Sequence, residues 1–116
     1  MNRNRRGTTE RHNTMIPTIG RIVHYTLTQS DAEQINRLRV GFDILKPWPT
    51  TAQRHVGNLA QQGHMYPAMI VRCWGSTEGS ACQLQVFLDG NDTYWATSRI
   101  EGEGPSHWAP PVMAKP

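Results

Sequence analysis

Residues 81–100, ACQLQVFLDGNDTYWATSRI, contain two runs of alternating apolar and polar residues separated by a short polar turn. This period of two predicts a β-strand on each side of the turn. Residues Asp89–Asp92 tolerate positive φ angles, so the two strands are expected to form a hairpin. Trp95 lies in the middle of the second strand and is expected in the core. One face of the first strand carries Cys82, Leu84, Val86 and Leu88.

The segments on either side of this hairpin also predict β-structure. Residues 64–74 read as a long strand, residues 75–80 as a loop, and residues 19–28 as a first strand rich in β-branched and aromatic residues. Residues 102–105 contain glycine and proline and are expected to break the strand. After them, His107-Trp108 is predicted to be the last ordered segment of the domain. The pattern predicts a small, partly open SH3-like barrel or meander. Its unpaired edge strands lead us to expect a homo-oligomer.

One or two short helices are inserted between the first strand and the meander, which makes the predicted fold class β-rich α+β. Ser30 and Glu33 have the spacing of a capping box, and Gly41 is a plausible helix end. The apolar stripe of this helix is Ala32, Ile35 and Leu38.

A second short helix is predicted to begin at Thr50 or Thr51 and to end near Gln62. In that helix Val56 and Leu59 would face inward.

Charge divides the chain into a tail and a body. Residues 1–16 carry four arginines against Glu10, whereas residues 17–116 carry eight basic and eight acidic residues. We therefore predict a disordered basic tail at 1–16, one domain at 17–110 and a flexible Pro-rich tail at 111–116. The basic tail could make weak contacts with nucleic acid.

Known catalytic motifs are missing from the sequence. It contains no GxSxG, GxxxxGK[ST], HExxH or GxGxxG pattern, and its cysteines and histidines lack zinc spacing. We therefore predict no enzyme activity, no metal and no cofactor. The loose alternative for acid–base chemistry is His24 or His107 with Glu101 or Glu103.

Apolar runs are too short to span a membrane, and the N-terminus lacks the apolar segment of a secretory signal. A reducing cytoplasm is therefore expected. The sequence leaves open whether Cys73 and Cys82, which flank one predicted loop, form a disulfide.

Aromatic residues carry most of the functional signal. Four tryptophans and three tyrosines lie in a small domain, and together with arginines they could sandwich a base and hold its phosphates. The same tryptophans could instead form the core of a barrel with few aliphatic residues, and depth of burial separates the two cases. The candidate ligand-binding residues are Arg72, Trp74, Tyr94, Arg99, His107 and Trp108.

Four stretches together suggest a family: IGRIVHY (19–25), YPAMIVRCWG (66–75), VFLDGNDTYWATS (86–98) and GEGPSHW (102–108). Over residues 17–110 the chain resembles a group of small tailed-phage proteins that open with an IGRIVHY-like strand and end with a GEGP-containing segment. It departs from them at Ala109-Pro110, where the family more often has a further tryptophan. The resemblance implies action in the host bacterial cytoplasm and a possible role against bacterial defences.

The resemblance and the residue inventory together favour a phage-encoded, non-catalytic binding protein that sequesters a host nucleotide-type immune signal. One alternative is a protein-binding inhibitor of a host defence protein, or a virion-associated module, with tryptophans as anchors. That alternative predicts an exposed apolar patch and no enclosed pocket. Another alternative is a DNA-associated accessory protein that binds through the basic tail.

Overall fold

The structure, a computed structural model, describes residues 15–44 and 55–112. Its strands form one closed barrel in the order β1-β2-β3-β4-β5, with a helix between β1 and β2. The predicted β-rich barrel with an inserted helix is confirmed. The elements are β1 (Ile22–Thr26), α1 (Gln29–Ile44), β2 (Met65–Cys73), β3 (Cys82–Phe87), β4 (Thr93–Glu101) and β5 (His107–Ala109).

The short strand β5 closes the barrel. Trp108 of β5 pairs antiparallel with Tyr25 of β1 and parallel with Glu101 of β4. Gly104 and Ser106 reverse the chain before β5 with φ angles of 84° and 79°. The sequence predicted a partly open barrel from a long strand, an inserted helix and a meander, but pairing of β5 with both β1 and β4 closes it. Closure removes the unpaired edges on which the expectation of a homo-oligomer rested.

The barrel interior follows the predicted alternation of β3. Trp95, which was expected in the core, is instead 59% exposed, because its neighbours Tyr94 and Ala96 are the residues of β4 that point inward. The buried apolar residues of the barrel are Val23, Tyr25, Leu27, Ala68, Ile70, Cys82, Leu84, Val86, Ala96 and Trp108.

Helix α1 packs through Ala32 and Ile35 as predicted, but the third member of the predicted stripe is wrong. Leu38 is 49% exposed, and the next residue, Arg39, is buried instead. Arg39 is held there because its guanidinium donates to the carbonyl of Asn58 and pairs with Asp92. The helix also continues past the predicted stop and ends at Ile44.

The helix cap is formed two residues earlier than predicted. The Asp31 N–H donates to the Thr28 hydroxyl at 2.9 Å, and the Thr28 N–H donates to the Asp31 carboxylate at 3.0 Å. This reciprocal pair has the geometry of a capping box. Ser30 instead accepts from Gln34.

The predicted second helix is wrong for residues 55–62, and its beginning at 50–54 lies outside the described residues. Gly57 forms an isolated bridge with Gly90 in the β3–β4 turn, and Val56 and Leu59 are exposed. A Cβ on Gly90 would lie 2.4 Å from the Val56 carbonyl oxygen. Only glycine permits this close approach, which holds the segment extended across the turn.

Both predicted tails fall mainly outside the described residues, which begin at Met15 and end at Val112. The Met15 N–H donates to the Glu101 carboxylate at 3.1 Å, and Pro17 is buried. The described chain is therefore attached to the barrel from its first residue.

Substitution of adjacent residues in β2 tests the inward and outward faces of the barrel. We expect Ile70→Ala, at a fully buried position, to lower the free energy of unfolding by about 2–5 kcal/mol. The matched control Val71→Ala, at a position 37% exposed, should change it by less than about 1 kcal/mol. Urea denaturation measures both, and equal losses would contradict the assigned faces.

Candidate functional site

A buried carboxylate organises the polar groups inside the barrel. Asp31, in the first turn of α1, is 1% exposed. Its Oδ2 atom accepts hydrogen bonds from the Tyr25 hydroxyl at 2.5 Å and from the Thr28 N–H. Its Oδ1 atom accepts from the Tyr94 hydroxyl at 2.7 Å and from the Arg99 guanidinium at 3.3 Å. Both carboxylate oxygens are thus fully used by the protein itself.

The ionisation of this cluster follows from its hydrogen bonds. Burial alone would raise the pKa of Asp31, but the Thr28 N–H, the two tyrosine hydroxyls and Arg99 outweigh it and lower the pKa. Burial and the adjacent carboxylate raise the pKa of Tyr94 to about 12 and that of Tyr25 further. At neutral pH the carboxylate is charged and both phenols keep their protons.

A β-bulge turns Arg99 toward this carboxylate. The register of β4 against β3 shifts between Ala96 and Arg99, and Ser98 adopts a φ of 56°. The extra residue reverses the alternation, so Arg99 pairs with the buried Cys82. The Arg99 guanidinium also donates to the Ser106 hydroxyl at 3.0 Å.

Two of the predicted ligand-binding residues, Tyr94 and Arg99, therefore meet, but at an internal carboxylate. Trp108 is 1% exposed, and its indole N–H donates to the Arg99 carbonyl oxygen at 3.2 Å, so it is a core residue. His107 is half-buried, and its Nδ1 lies 3.0 Å from the Pro105 carbonyl oxygen. Tyr94, Arg99 and Trp108 are thus bonded to groups inside the barrel, whereas His107 is half-buried beside Pro105.

The remaining pair, Arg72 and Trp74, lies on the outside of the barrel. The Arg72 guanidinium carbon is 4.2 Å from the centre of the Trp74 ring, a cation–π geometry, and Trp74 is 54% exposed. The Trp74 indole N–H donates to Gln83 at 3.2 Å. Gln83 also accepts a hydrogen bond of 2.6 Å from the backbone N–H of Ser98, which lies at the bulge in β4. The position of Trp74 is thus tied to the sheet.

Exposed aromatic side chains follow the outer face of β3, and we call Trp74, Trp95 and Phe87 the aromatic stripe. Trp74 is bonded to Gln83, Trp95 lies opposite Gln85, and Phe87 is the last residue of β3. Because positions 83, 85 and 87 share one face, the stripe extends over about 13 Å. Trp95 and Phe87 are 59% and 40% exposed.

Sequence reasoning did not include Trp95 and Phe87 among the candidate binding residues, although both are exposed on the outer face. The signal was present, because Phe87 lies on the face of β3 opposite its apolar residues. Apolar surface continues from the stripe across the neighbouring strands. The register aligns Trp95 and Gln85 with Met69 of β2 and Ile22 of β1, and Ile22 is 40% exposed.

A second polar cluster joins the β3–β4 turn to residues 55–60. Arg39 pairs with Asp92 at 2.7 Å, and His55 approaches the other oxygen of Asp92 at 3.1 Å. Burial would raise the pKa of Asp92, but Arg39 and His55 lower it. Asn58 donates to Asp89 at 2.8 Å. These contacts hold residues 55–60 against the β3–β4 turn.

Next to this cluster lies an open depression of about 630 Å³. Asn58 and Asp89 in its lining are hydrogen-bonded to each other, and the Asn91 side chain accepts from the Val56 N–H at 2.9 Å. The depression is lined by Val56, Gly57, Asn58, Asp89, Gly90 and Asn91.

Within residues 15–44 and 55–112, no three His, Cys, Asp or Glu side chains are grouped as metal ligands. In the same part of the chain, no helix has the length and apolar character needed to cross a membrane. Comparisons with protein-family models, curated proteins and solved structures found no match to this chain.

The Asp31 cluster makes stability depend on pH. Because the folded-state pKa of Asp31 is lowered, its contribution is complete above the unfolded value of about 3.9 and is lost as pH falls through the folded pKa. We expect Asp31→Asn to lower the free energy of unfolding by about 3 kcal/mol at pH 7, because Arg99 loses its counter-charge. Urea denaturation at a series of pH values measures both effects.

Glu33→Gln is the matched control, since it removes one exposed carboxylate from the same helix. It should change stability by less than about 0.5 kcal/mol. The acid dependence of Asp31→Asn should be weaker than that of the wild type but not absent, because Asp92 also has a lowered pKa. An unchanged acid dependence would show that the Asp31 carboxylate does not contribute.

Proposed function

We propose that this protein is a non-catalytic binding module that docks on a protein partner through the aromatic stripe. The observation that carries the proposal is the alignment of three exposed aromatic side chains on the outer face of a closed barrel. Tryptophan and arginine are the residue types most enriched among the side chains that dominate binding energy at protein interfaces. Arg72, stacked on Trp74, supplies the arginine at one end of the stripe.

Exposure of these side chains has a physical cost that a partner would remove. Burying a large apolar side chain is worth about 1.5–3 kcal/mol, so the stripe offers a substantial gain on binding. Trp95 and Phe87 project from paired strands, and Trp74, which directly follows β2, is bonded to Gln83, a residue only 8% exposed. A rigid platform loses little conformational entropy when it binds.

Charge favours a protein partner over a nucleic acid. The net charge of +3 comes from residues 1–16, whereas residues 17–116 carry eight basic and eight acidic residues. Arg39 and Arg99 are engaged with buried carboxylates. A surface that binds nucleic acid needs several cations for the phosphates.

A nucleotide is the second candidate ligand, and it is supported by Arg72 and Trp74 alone. Their stacked pair could hold a phosphate on the guanidinium and a base against the exposed indole. In this form the proposal keeps the expected capture of a nucleotide-type immune signal and assigns it to two of the six candidate residues, on the outer face of the barrel. Tyr94, Arg99 and Trp108 then support the fold.

Site-specific photo-crosslinking tests protein docking. A benzophenone amino acid replaces Phe87 in the stripe, and the same probe replaces Glu33 on the exposed side of α1 as the control. In bacterial cells, the host implied by the resemblance to phage proteins, we expect crosslinks to a defined protein from position 87 and not from position 33. Equal crosslinking at both positions would contradict a specific surface, and crosslinks between copies of this chain would identify self-association.

The affinity of the crosslinked partner then measures the contribution of the stripe. We expect Trp95→Ala to weaken binding of the purified partner by about 30-fold, the equivalent of about 2 kcal/mol. Leu38→Ala, which removes an exposed apolar side chain from the helix, should leave the affinity unchanged. Calorimetric titration distinguishes the variants, and equal affinities would exclude the stripe.

Thermal denaturation with cyclic di- and trinucleotides and ADP-ribose derivatives tests the second candidate. A ligand at a hundredfold excess over its Kd stabilises the folded protein by about 2.7 kcal/mol. We expect Trp74→Ala to abolish that stabilisation and Trp95→Ala to retain it. Recovery of the nucleotide intact would indicate capture without cleavage, and the lack of any shift across the series would reject this candidate.

A further inference from the structure

The two cysteines lie next to each other on adjacent strands of the barrel. Cys73 is the last residue of β2, Cys82 is the first of β3, and the register makes them direct antiparallel partners. The Trp74 N–H donates to the Ala81 carbonyl oxygen at 2.9 Å, just outside this pair. That bond identifies a non-hydrogen-bonded pair, in which the Cα atoms are about 4.5 Å apart and the side chains are closest. Disulfides span Cα separations of about 4.4–6.8 Å.

The two thiols differ in their access to solvent. Cys73 is half-buried, and its Sγ donates to the Pro17 carbonyl oxygen at 3.4 Å. Cys82 is fully buried, and burial, followed by the neighbouring Cys73 thiol, raises the pKa of Cys82 to about 12. An oxidant from solution therefore reaches Cys73 first, and Cys82 reacts afterwards and slowly.

We propose that Cys73 and Cys82 are a modification site that forms a reversible cross-strand disulfide by exchange with a small disulfide such as oxidised glutathione. The Cys73 sulfur attacks one glutathione sulfur, its proton passes to the departing glutathione thiolate, and a mixed disulfide remains. The Cys82 sulfur then attacks the Cys73 sulfur and releases a second glutathione thiol, which takes the Cys82 proton. The two cysteines lose two electrons, and the glutathione disulfide becomes two thiols.

The bond would clamp the ends of β2 and β3 directly beside Arg72 and Trp74. It would also remove the Cys73 S–H donor that now contacts the Pro17 carbonyl oxygen. The site depends only on the register of the two strands and the burial of the two thiols. It therefore stands independently of the proposed protein docking.

Mass spectrometry of the full-length protein tests the proposal. The reduced protein is incubated with oxidised glutathione, acid-quenched at intervals and alkylated. We expect the wild type to pass through a mixed disulfide on Cys73 and to end as a monomer that has lost two hydrogens and both alkylation sites. Cys82→Ala should stop at the mixed disulfide, and Cys73→Ala should react at least about tenfold more slowly.

Circular dichroism of each variant verifies the fold. The time course of the wild type also shows which cysteine reacts first, because peptide mapping identifies the cysteine that carries glutathione. A wild type that stops at the mixed disulfide would overturn the proposal. Bridges between two chains, seen as dimers on a non-reducing gel, would overturn it as well.

Discussion

The buried carboxylate of Asp31 is the interaction on which the rest of the barrel depends. A charged group at 1% exposure is tolerated only when its hydrogen-bonding capacity is met. The four donors come from β1, β4 and the segment between β1 and α1, so satisfying one carboxylate fixes the relative positions of these elements. Arg99 extends the connection to Ser106, just before the strand that closes the barrel.

Much of the fold could be predicted from the sequence because strand periodicity is a local signal. The alternation of β3 and the turn at 89–92 specify a hairpin with one apolar face. Closure by β5 could not be read in this way, since a three-residue strand has no period of its own. The second helix was predicted from helical spacing, but contacts of Gly57 with Gly90 and of Asn58 with Asp89, distant in sequence, hold that segment extended.

The candidate site was harder to predict because bulges change which side chains point outward. With Tyr94 and Ala96 facing inward, a simple alternation along β4 would place Arg99 on the outer face. The shift between Ala96 and Arg99 turns it inward to Asp31. The sequence carries no clear mark of a bulge that is stabilised by a glutamine on the neighbouring strand. Arg72 and Trp74, in contrast, lie at the end of β2 and are exposed to solvent.

The two faces of the sheet divide the polar and aromatic residues between a bonded interior and a solvent-exposed surface. Inside the barrel, Tyr25, Tyr94 and Arg99 are all bonded to one carboxylate, and a ligand that competed for them would expose a buried charge. Outside, the three side chains of the aromatic stripe are 40–59% exposed, although Arg72 stacks on Trp74 and the Trp74 indole N–H donates to Gln83. Binding on the outer face can therefore gain apolar burial without dismantling the interior. This separation is the physical reason for proposing a binding surface on the outside of the barrel.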